Sequence, residues 1–171
     1  MRFTKAHGTG NDFVVLLDLE DRLELSTALV TALCDRRHGI GGDGVLRLGS
    51  APEGADVFMD YRNADGTAVE MCGNGVRVTA KHVVDHGVVP ADADVVHVAT
   101  RAGVKPVEVQ RDDHGRLAVA TVDMGPPVLD AARVPFVADA VDRGDDRLRA
   151  GAHLLDEVAR HPGEGEEPVR V

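Results

Sequence analysis

Met71-Cys72-Gly73-Asn74-Gly75-Val76-Arg77 sets a thiol between a short apolar run and two glycines, with a helical pattern starting just after it. That order reads as a strand entering a tight turn and then the first turn of a helix. A helix N-terminus carries unpaired backbone N–H groups and a partial positive charge. It favours a thiolate over a thiol and gives small anions a cradle. A reactive sulfur beside an anion cradle suits acid/base or nucleophilic work on a carboxylic acid. An inert, buried cysteine ahead of a helix is the commoner arrangement. The flanking glycines, which let a ligand approach the backbone closely, weigh toward a functional Cys72.

A second stretch offers polar groups for binding. His7-Gly8-Thr9-Gly10-Asn11-Asp12 is a run of turn-formers between two apolar segments. Six such residues exceed what a two-residue hairpin needs, which predicts a binding loop. Asn11 presents both a donor and an acceptor to a ligand with carboxylate and amine groups. Gly39-Ile40-Gly41-Gly42-Asp43-Gly44 matches GxGxxG. A dinucleotide fingerprint follows a strand and opens a helix, whereas this run follows a helix and leads into a strand, so a nucleotide site is rejected. Cys34 sits beside the apolar stripe of a predicted helix and reads as a core residue.

The elements that must position these groups follow from pattern. Strands are expected over 1–6 and 13–17. Ser26 reads as the N-cap of a helix running to about Arg37 and ending at Gly39, with Ala28, Leu29, Ala32 and Leu33 as its buried stripe. Strands over 45–48 and 56–61 come next. A turn at Asn63-Ala64-Asp65-Gly66 and a return strand over 67–71 then deliver Cys72. The helix from about Asn74 to His86 stops at Gly87. It is rich in Val and Thr, so burial of Val76, Ala80, Val83 and Val84 has to stabilise it. Arg77, Lys81 and Asp85, four apart, read as its solvated face. Alternating strands over 95–100, 104–110 and 116–122 form an antiparallel meander. The fold class is α+β, a mostly antiparallel, curved sheet wrapped around a central helix.

Composition narrows the function. The 171 residues make one domain, or one domain and a remnant of a second. A hydrophobic fraction of 43% supports a core, and 28% charged residues speak for a soluble protein. A formal net charge of −10 argues against nucleic acid or anionic membrane as a partner. Aromatics are 3% with no Trp, so base-stacking platforms are not expected. Two cysteines in unlike settings form neither a disulfide framework nor a metal-ligand spacing. With no targeting signal or spanning apolar run read in the sequence, and thiols expected to be reduced, a cytoplasmic location is expected. Past Gly125-Pro126-Pro127 the texture changes. A mixed acidic stretch over 135–146, a helix over 147–159 and a disordered acidic end over 163–167 are expected.

Three motifs in order, His7-Gly8-Thr9-Gly10-Asn11-Asp12-Phe13, Asp60-Tyr61-Arg62-Asn63-Ala64-Asp65-Gly66 and Met71-Cys72-Gly73-Asn74-Gly75, together resemble diaminopimelate epimerase. That family works without pyridoxal phosphate in lysine and peptidoglycan precursor synthesis. Its members have two similar α+β domains with the substrate between them. The resemblance covers about residues 1–126, which would be the N-terminal domain, leaving 127–171 as an atypical, truncated second domain. It implies that Cys72 is one of two acid/base thiols at the substrate α-carbon. Gly73 and Asn74 would hold the α-carboxylate, and Asn11 and Asn63 would contact the polar ends of diaminopimelate. No metal or cofactor is implied.

At the position after Asp43, where many members have a substrate-contacting Gln, this chain has Gly44. The family's second thiol comes from a Cys-Gly-Thr-Gly unit, and its other C-terminal marker is Glu-Arg. Neither occurs here. The chain therefore reads as the first half of an epimerase, from a truncated or frameshifted gene or as part of a split enzyme. The expected partners are diaminopimelate and a second subunit carrying the missing half, with a homodimer as a further assembly. A non-catalytic fragment or binding module is the alternative, and a proline racemase-type enzyme a weaker one.

Overall fold

One strand, β2 (Asn11–Leu17), carries apolar side chains on both of its faces, and the two layers of the protein are built on it. In the computed structural model, which describes residues 2–90 and 92–125, it has neighbours on either side. It pairs antiparallel with β1 (Thr4–Gly8) and parallel with β3 (Gly44–Gly49). Successive strand residues point to opposite faces. Phe13 and Val15 accordingly enter one core cluster, while Val14 and Leu16 enter another.

The order continues through β4 (Val57–Asn63), β5 (Val95–Thr100), β6 (Gly103–Arg111) and β7 (Leu117–Val122), giving one seven-stranded sheet in sequence order. The β2–β3 and β4–β5 pairs are parallel and the other four are antiparallel. Parallel neighbours need crossovers, and the two helices supply them. Helix α1 (Thr27–Cys34) joins β2 to β3 and packs on the face of Val14, Leu16 and Val45. Helix α2 (Gly73–Asp85) joins β4 to β5 and packs on the opposite face, against Phe13, Leu46, Leu48 and Met59. Both edge strands, β1 and β7, touch α2. A sheet whose two edges reach the same helix must curl around it, so the expected curved α+β architecture is present.

Local chemistry explains most boundaries. Ser26 does cap α1, its hydroxyl accepting from the Leu29 N–H at 3.2 Å. The helix ends at Cys34, earlier than expected, because the Asp35 carboxylate takes the N–H groups of Arg37 and His38. Such side-chain-to-backbone bonding competes with the helical ladder. The buried side of α1 is Val30, Leu33 and Cys34 with Leu29 half-buried against the same cluster, so Leu29 and Leu33 of the expected stripe face the core while Ala28 and Ala32 are exposed.

Helix α2 is buried more completely than a single stripe. Val78, Thr79 and His82 join Val76, Ala80 and Val83 inside, and Val84 is only half-buried. Of the predicted solvated face, Lys81 and Asp85 pair at 3.0 Å. The return strand expected over 67–71 is reduced to a single bridge between Arg62 and Ala68. The Asn63 N–H donates to the Thr67 carbonyl at 3.0 Å, and Gly66 folds back on Asn63, so only a tight turn remains. The meander β5–β7 lies where expected. The features expected over 127–171, and a domain boundary near 126, lie outside the described residues.

Candidate active site

The hairpin before β2 is tighter than the sequence suggested. Gly8 pairs with Asn11, which leaves Thr9 and Gly10 as a two-residue turn, so the stretch is no six-residue binding loop. Thr9 has φ 51° and Gly10 has φ 87°. Positive φ at both central residues is the type I′ geometry, whose twist matches that of the flanking strands. For a β-branched residue this conformation is an outlier, costing about 1–2 kcal/mol. The turn nonetheless places groups usefully. The Thr9 hydroxyl donates to Asn74 Oδ1 at 2.9 Å, and Asn11 Nδ2 donates to Cys72 Sγ at 3.9 Å. Gly8 allows this approach, since a Cβ there would lie 3.0 Å from the Asn74 carbonyl oxygen.

Cys72 is the N-cap of α2. Its backbone is extended, and its sulfur accepts from the Gly75 N–H at 3.4 Å. The side chain is half-buried and unpaired with any other cysteine. Val76 N–H is taken by the Cys72 carbonyl. That leaves the N–H groups of Gly73 and Asn74 as the helix donors with no intrahelical partner, at the positive end of the helix dipole. Gly73 faces Met124, whose sulfur would lie 3.1 Å from a Cβ placed there. The Asn74 carboxamide is oriented by two donors. Thr9 and, one turn along the helix, Arg77 both meet its Oδ1. Arg is donor-only, which fixes Oδ1 toward Arg77 and turns the Asn74 amide N–H groups the other way. Arg77 thus belongs to the site and not to the solvated face assigned from its spacing.

Asn63 closes β4 opposite Gly44. Its Oδ1 accepts from the Tyr61 hydroxyl at 2.9 Å and its Nδ2 donates to Thr67 Oγ1 at 3.1 Å. Tyr61 is buried, edge-on to Phe13 at 5.6 Å between ring centres. Burial, and then the proximity of Cys72, push its phenol above the ordinary value. Asn63 is therefore tied to the site through Tyr61, with no hydrogen bond to Cys72 among the described residues. Gly44 admits no side chain in this backbone. A Cβ there would lie 2.4 Å from the Arg62 carbonyl oxygen and 2.6 Å from the Tyr61 ring.

The structure thus brings Asn11, Cys72, Gly73 and Asn74 together and holds Asn63 at one remove. Cys34 lies elsewhere. It packs with Val14, Leu16 and Val45 on the α1 side of the sheet, whereas Cys72 packs on the α2 side. Burial raises the Cys34 thiol pKa above its ordinary value. Among the described residues no group of three or more His, Cys, Asp or Glu side chains is arranged to hold a metal ion, and no helix is long and apolar enough to cross a membrane. Thr9, Tyr61 and Arg77 carry orienting bonds that spacing alone does not reveal. Their only local signal is membership of the motifs around Asn11, Asn63 and Cys72.

A curled mixed sheet wrapped around one helix is a fold that this chain shares with solved structures of low sequence identity. The solved structure of a methylitaconate-delta-isomerase matches with a TM-score of 0.56 at 19% identity, over 73% of this chain and 38% of that one. The family model for diaminopimelate epimerase matches residues 3–129, and the chain belongs to that family. Diaminopimelate epimerase of Thermobifida fusca is 43% identical over 94% of this chain and 61% of its own length. That of Rhodococcus opacus is 50% identical over 73% and 47% respectively. The chain therefore spans about half to three-fifths of the curated relatives it matches.

Proposed function

We propose that this chain forms one half-site of a diaminopimelate epimerase, with Cys72 as the acid/base group on one face of the substrate α-carbon. The observation that carries this reading is the position of the Cys72 sulfur. It sits at the start of α2, next to the N–H groups of Gly73 and Asn74, which have no partner within the helix, and within reach of Asn11. A substrate α-carboxylate on those N–H groups brings the α-carbon over the sulfur. Cys72 then takes the α-proton: the C–H bond breaks, an S–H bond forms, and the electron pair spreads into the carboxylate. The N–H donors and the helix dipole stabilise that charge, so the step calls on neither pyridoxal nor metal. Asn11 and Asn63 recognise the polar ends of the amino acid.

Inversion needs a second proton donor on the opposite face. Cys34 is walled off by the sheet, so the second thiol comes from the part of the protein beyond this half-site, in the same assembly or on a second subunit. Residues 127–171 are read as the start of the second domain. The Thermobifida relative supports this, because its match takes in 94% of the chain and so runs on past residue 129. Lysine and peptidoglycan precursor synthesis in the cytoplasm is the setting that the family and the free thiols favour.

The test is isotope exchange. In heavy water, LL-diaminopimelate is expected to gain deuterium at the α-carbon with the wild-type chain and not with Cys72→Ser. Binding without any wash-in marks a binding module, and neither binding nor exchange overturns the reading.

A further inference from the structure

We propose that Asp12 is a positioning residue, a clamp that holds the Thr9–Gly10 turn and the Asn11 amide against Cys72. The inference rests on the reading of Cys72 as the site's sulfur, but the clamp itself is tested separately.

The register of β2 sets it up. Neighbouring strand residues face opposite ways, so when Asn11 faces Cys72, Asp12 faces away, toward the loop over 39–44. There its carboxylate collects donors from three separate segments. Lys5 Nζ from β1 reaches it at 2.7 Å. Arg36, just past the end of α1, grips both oxygens, at 3.0 and 2.7 Å. The Asp43 N–H from the loop donates at 3.1 Å. The backbone replies in kind: Asp12 N–H donates to Asp43 Oδ2 at 3.0 Å, and Asp43 N–H also meets the Asp12 carbonyl at 2.8 Å. Lys5 further donates to the Gly41 carbonyl, and Arg36 Nη2 to Asp43 Oδ1.

An isolated exposed ion pair contributes little. This group differs in having a forked arginine contact, reciprocal backbone bonds and a carboxylate side chain only 21% exposed. Those features give orientation as well as attraction. Its charges also balance, with Lys5 and Arg36 against Asp12 and Asp43. Removing Arg36 leaves two carboxylates, already bridged through each other's N–H groups, with Lys5 on Asp12 as the remaining cation. The two loops would then push apart, and a turn carrying Thr9 at positive φ persists only while its surroundings over-determine it. The first casualty is the Asn11 contact with Cys72, although neither Asp12 nor Arg36 touches the sulfur.

The test compares wild type, Asp12→Asn, Arg36→Leu and Arg36→Lys by amide hydrogen exchange and by iodoacetamide labelling at the Cys72 peptide. Arg36 is 59% exposed, so its variants are expected to keep the fold, checked by protection in β5–β7. Exchange over 8–12 and 39–44 is expected to rise together by about fivefold in Arg36→Leu and Asp12→Asn. Arg36→Lys should recover part of the loss, because the charge remains and the fork does not. Raised salt should move wild type toward Arg36→Leu, because it screens the Arg36 contacts. LL-diaminopimelate should protect Cys72 from labelling, with half-protection needing severalfold more of it in Arg36→Leu. Exchange that stays unchanged in the variants, or rises in the 39–44 loop alone, overturns the clamp. Absence of protection in wild type overturns the proposed substrate and leaves the exchange comparison to decide the clamp.

Discussion

The side-chain amide of Asn11 points its N–H at the sulfur of Cys72, 3.9 Å away across 61 residues of chain. One group comes from the first residue of a strand and the other from the cap of a helix on the concave side of the same sheet. Only curling of the sheet around α2 brings them together, and each of the following expectations depends on that curl.

Cys72→Ser is expected to abolish α-deuterium exchange while leaving the fold intact. Serine is among the best N-caps, so the hydroxyl can replace the sulfur as acceptor for the Gly75 N–H. A hydroxyl is a far weaker proton acceptor than a thiolate. Thermal unfolding and mass spectrometry of diaminopimelate recovered from heavy water measure the two effects. A variant that unfolds, or one that still exchanges, contradicts this role for the sulfur.

Thr9→Gly separates strain from function. Glycine adopts positive φ without the steric penalty, so the unfolding midpoint in urea should stay equal or rise. The same change deletes the hydroxyl that helps orient Asn74. Half-saturation by diaminopimelate should therefore move to higher concentration. A fall in stability would show that the turn is not strained in the way its φ of 51° indicates.

Gly44→Ala is expected to destabilise by about 1–3 kcal/mol, as overpacking does. The added methyl meets the Arg62 carbonyl and the Tyr61 ring in the middle of the sheet. Gly44→Gln should be at least as damaging, since it carries the same Cβ into the Arg62 carbonyl and the Tyr61 ring. Urea denaturation of both variants provides the measurement.

Acid should weaken the fold through His82. Burial, and then the charge of His86, lower the His82 pKa from 6.5 to about 4. In the unfolded chain the ring protonates as pH falls through 6.5, while in the folded chain it stays neutral until about 4. The unfolded state binds more protons across that window, so stability is full above 6.5 and falls as pH drops toward 4. The loss is on the order of 3 kcal/mol. Asp12 adds a second acid limb. The hydrogen bond from Arg36, then that from Lys5, hold its carboxyl far below its ordinary value, so its contribution is lost only below about pH 4. His82→Leu should flatten the stability curve between pH 4 and 6.5 in chemical denaturation. An unchanged slope would show that His82 does not control it.

Much of this was readable along the chain. Ser26 as a cap, the stop of α2 before Gly87 and the alternation of the β5–β7 meander each depend on residues within a few positions of one another. Cys72 at a helix start was readable for the same reason. The departures from local pattern have a common physical source. Helical periodicity carries α1 on to about Arg37, but the helix ends at Cys34 because Asp35 bonds forward to two N–H groups. The turn-formers at 7–12 suggested a long loop because composition does not reveal that His7 and Gly8 pair with β2. The spacing of Arg77 with Lys81 and Asp85 points to solvent, while its partner is Asn74.

By itself the sequence determined the local chemistry: which residue caps which helix, where glycine permits positive φ, and that a thiol precedes two helix N–H groups. Those outcomes rest on short-range sterics and hydrogen bonding, which a dozen residues decide among themselves. The tertiary structure alone decided that Asn11 meets Cys72, that Asp12 is gripped by Lys5 and Arg36, that Cys34 lies across the sheet from the site, and that Gly44 has no room to be anything else. These are contacts between segments far apart in the chain, set by how far the sheet curls and in what register its strands pair, and no local periodicity encodes either.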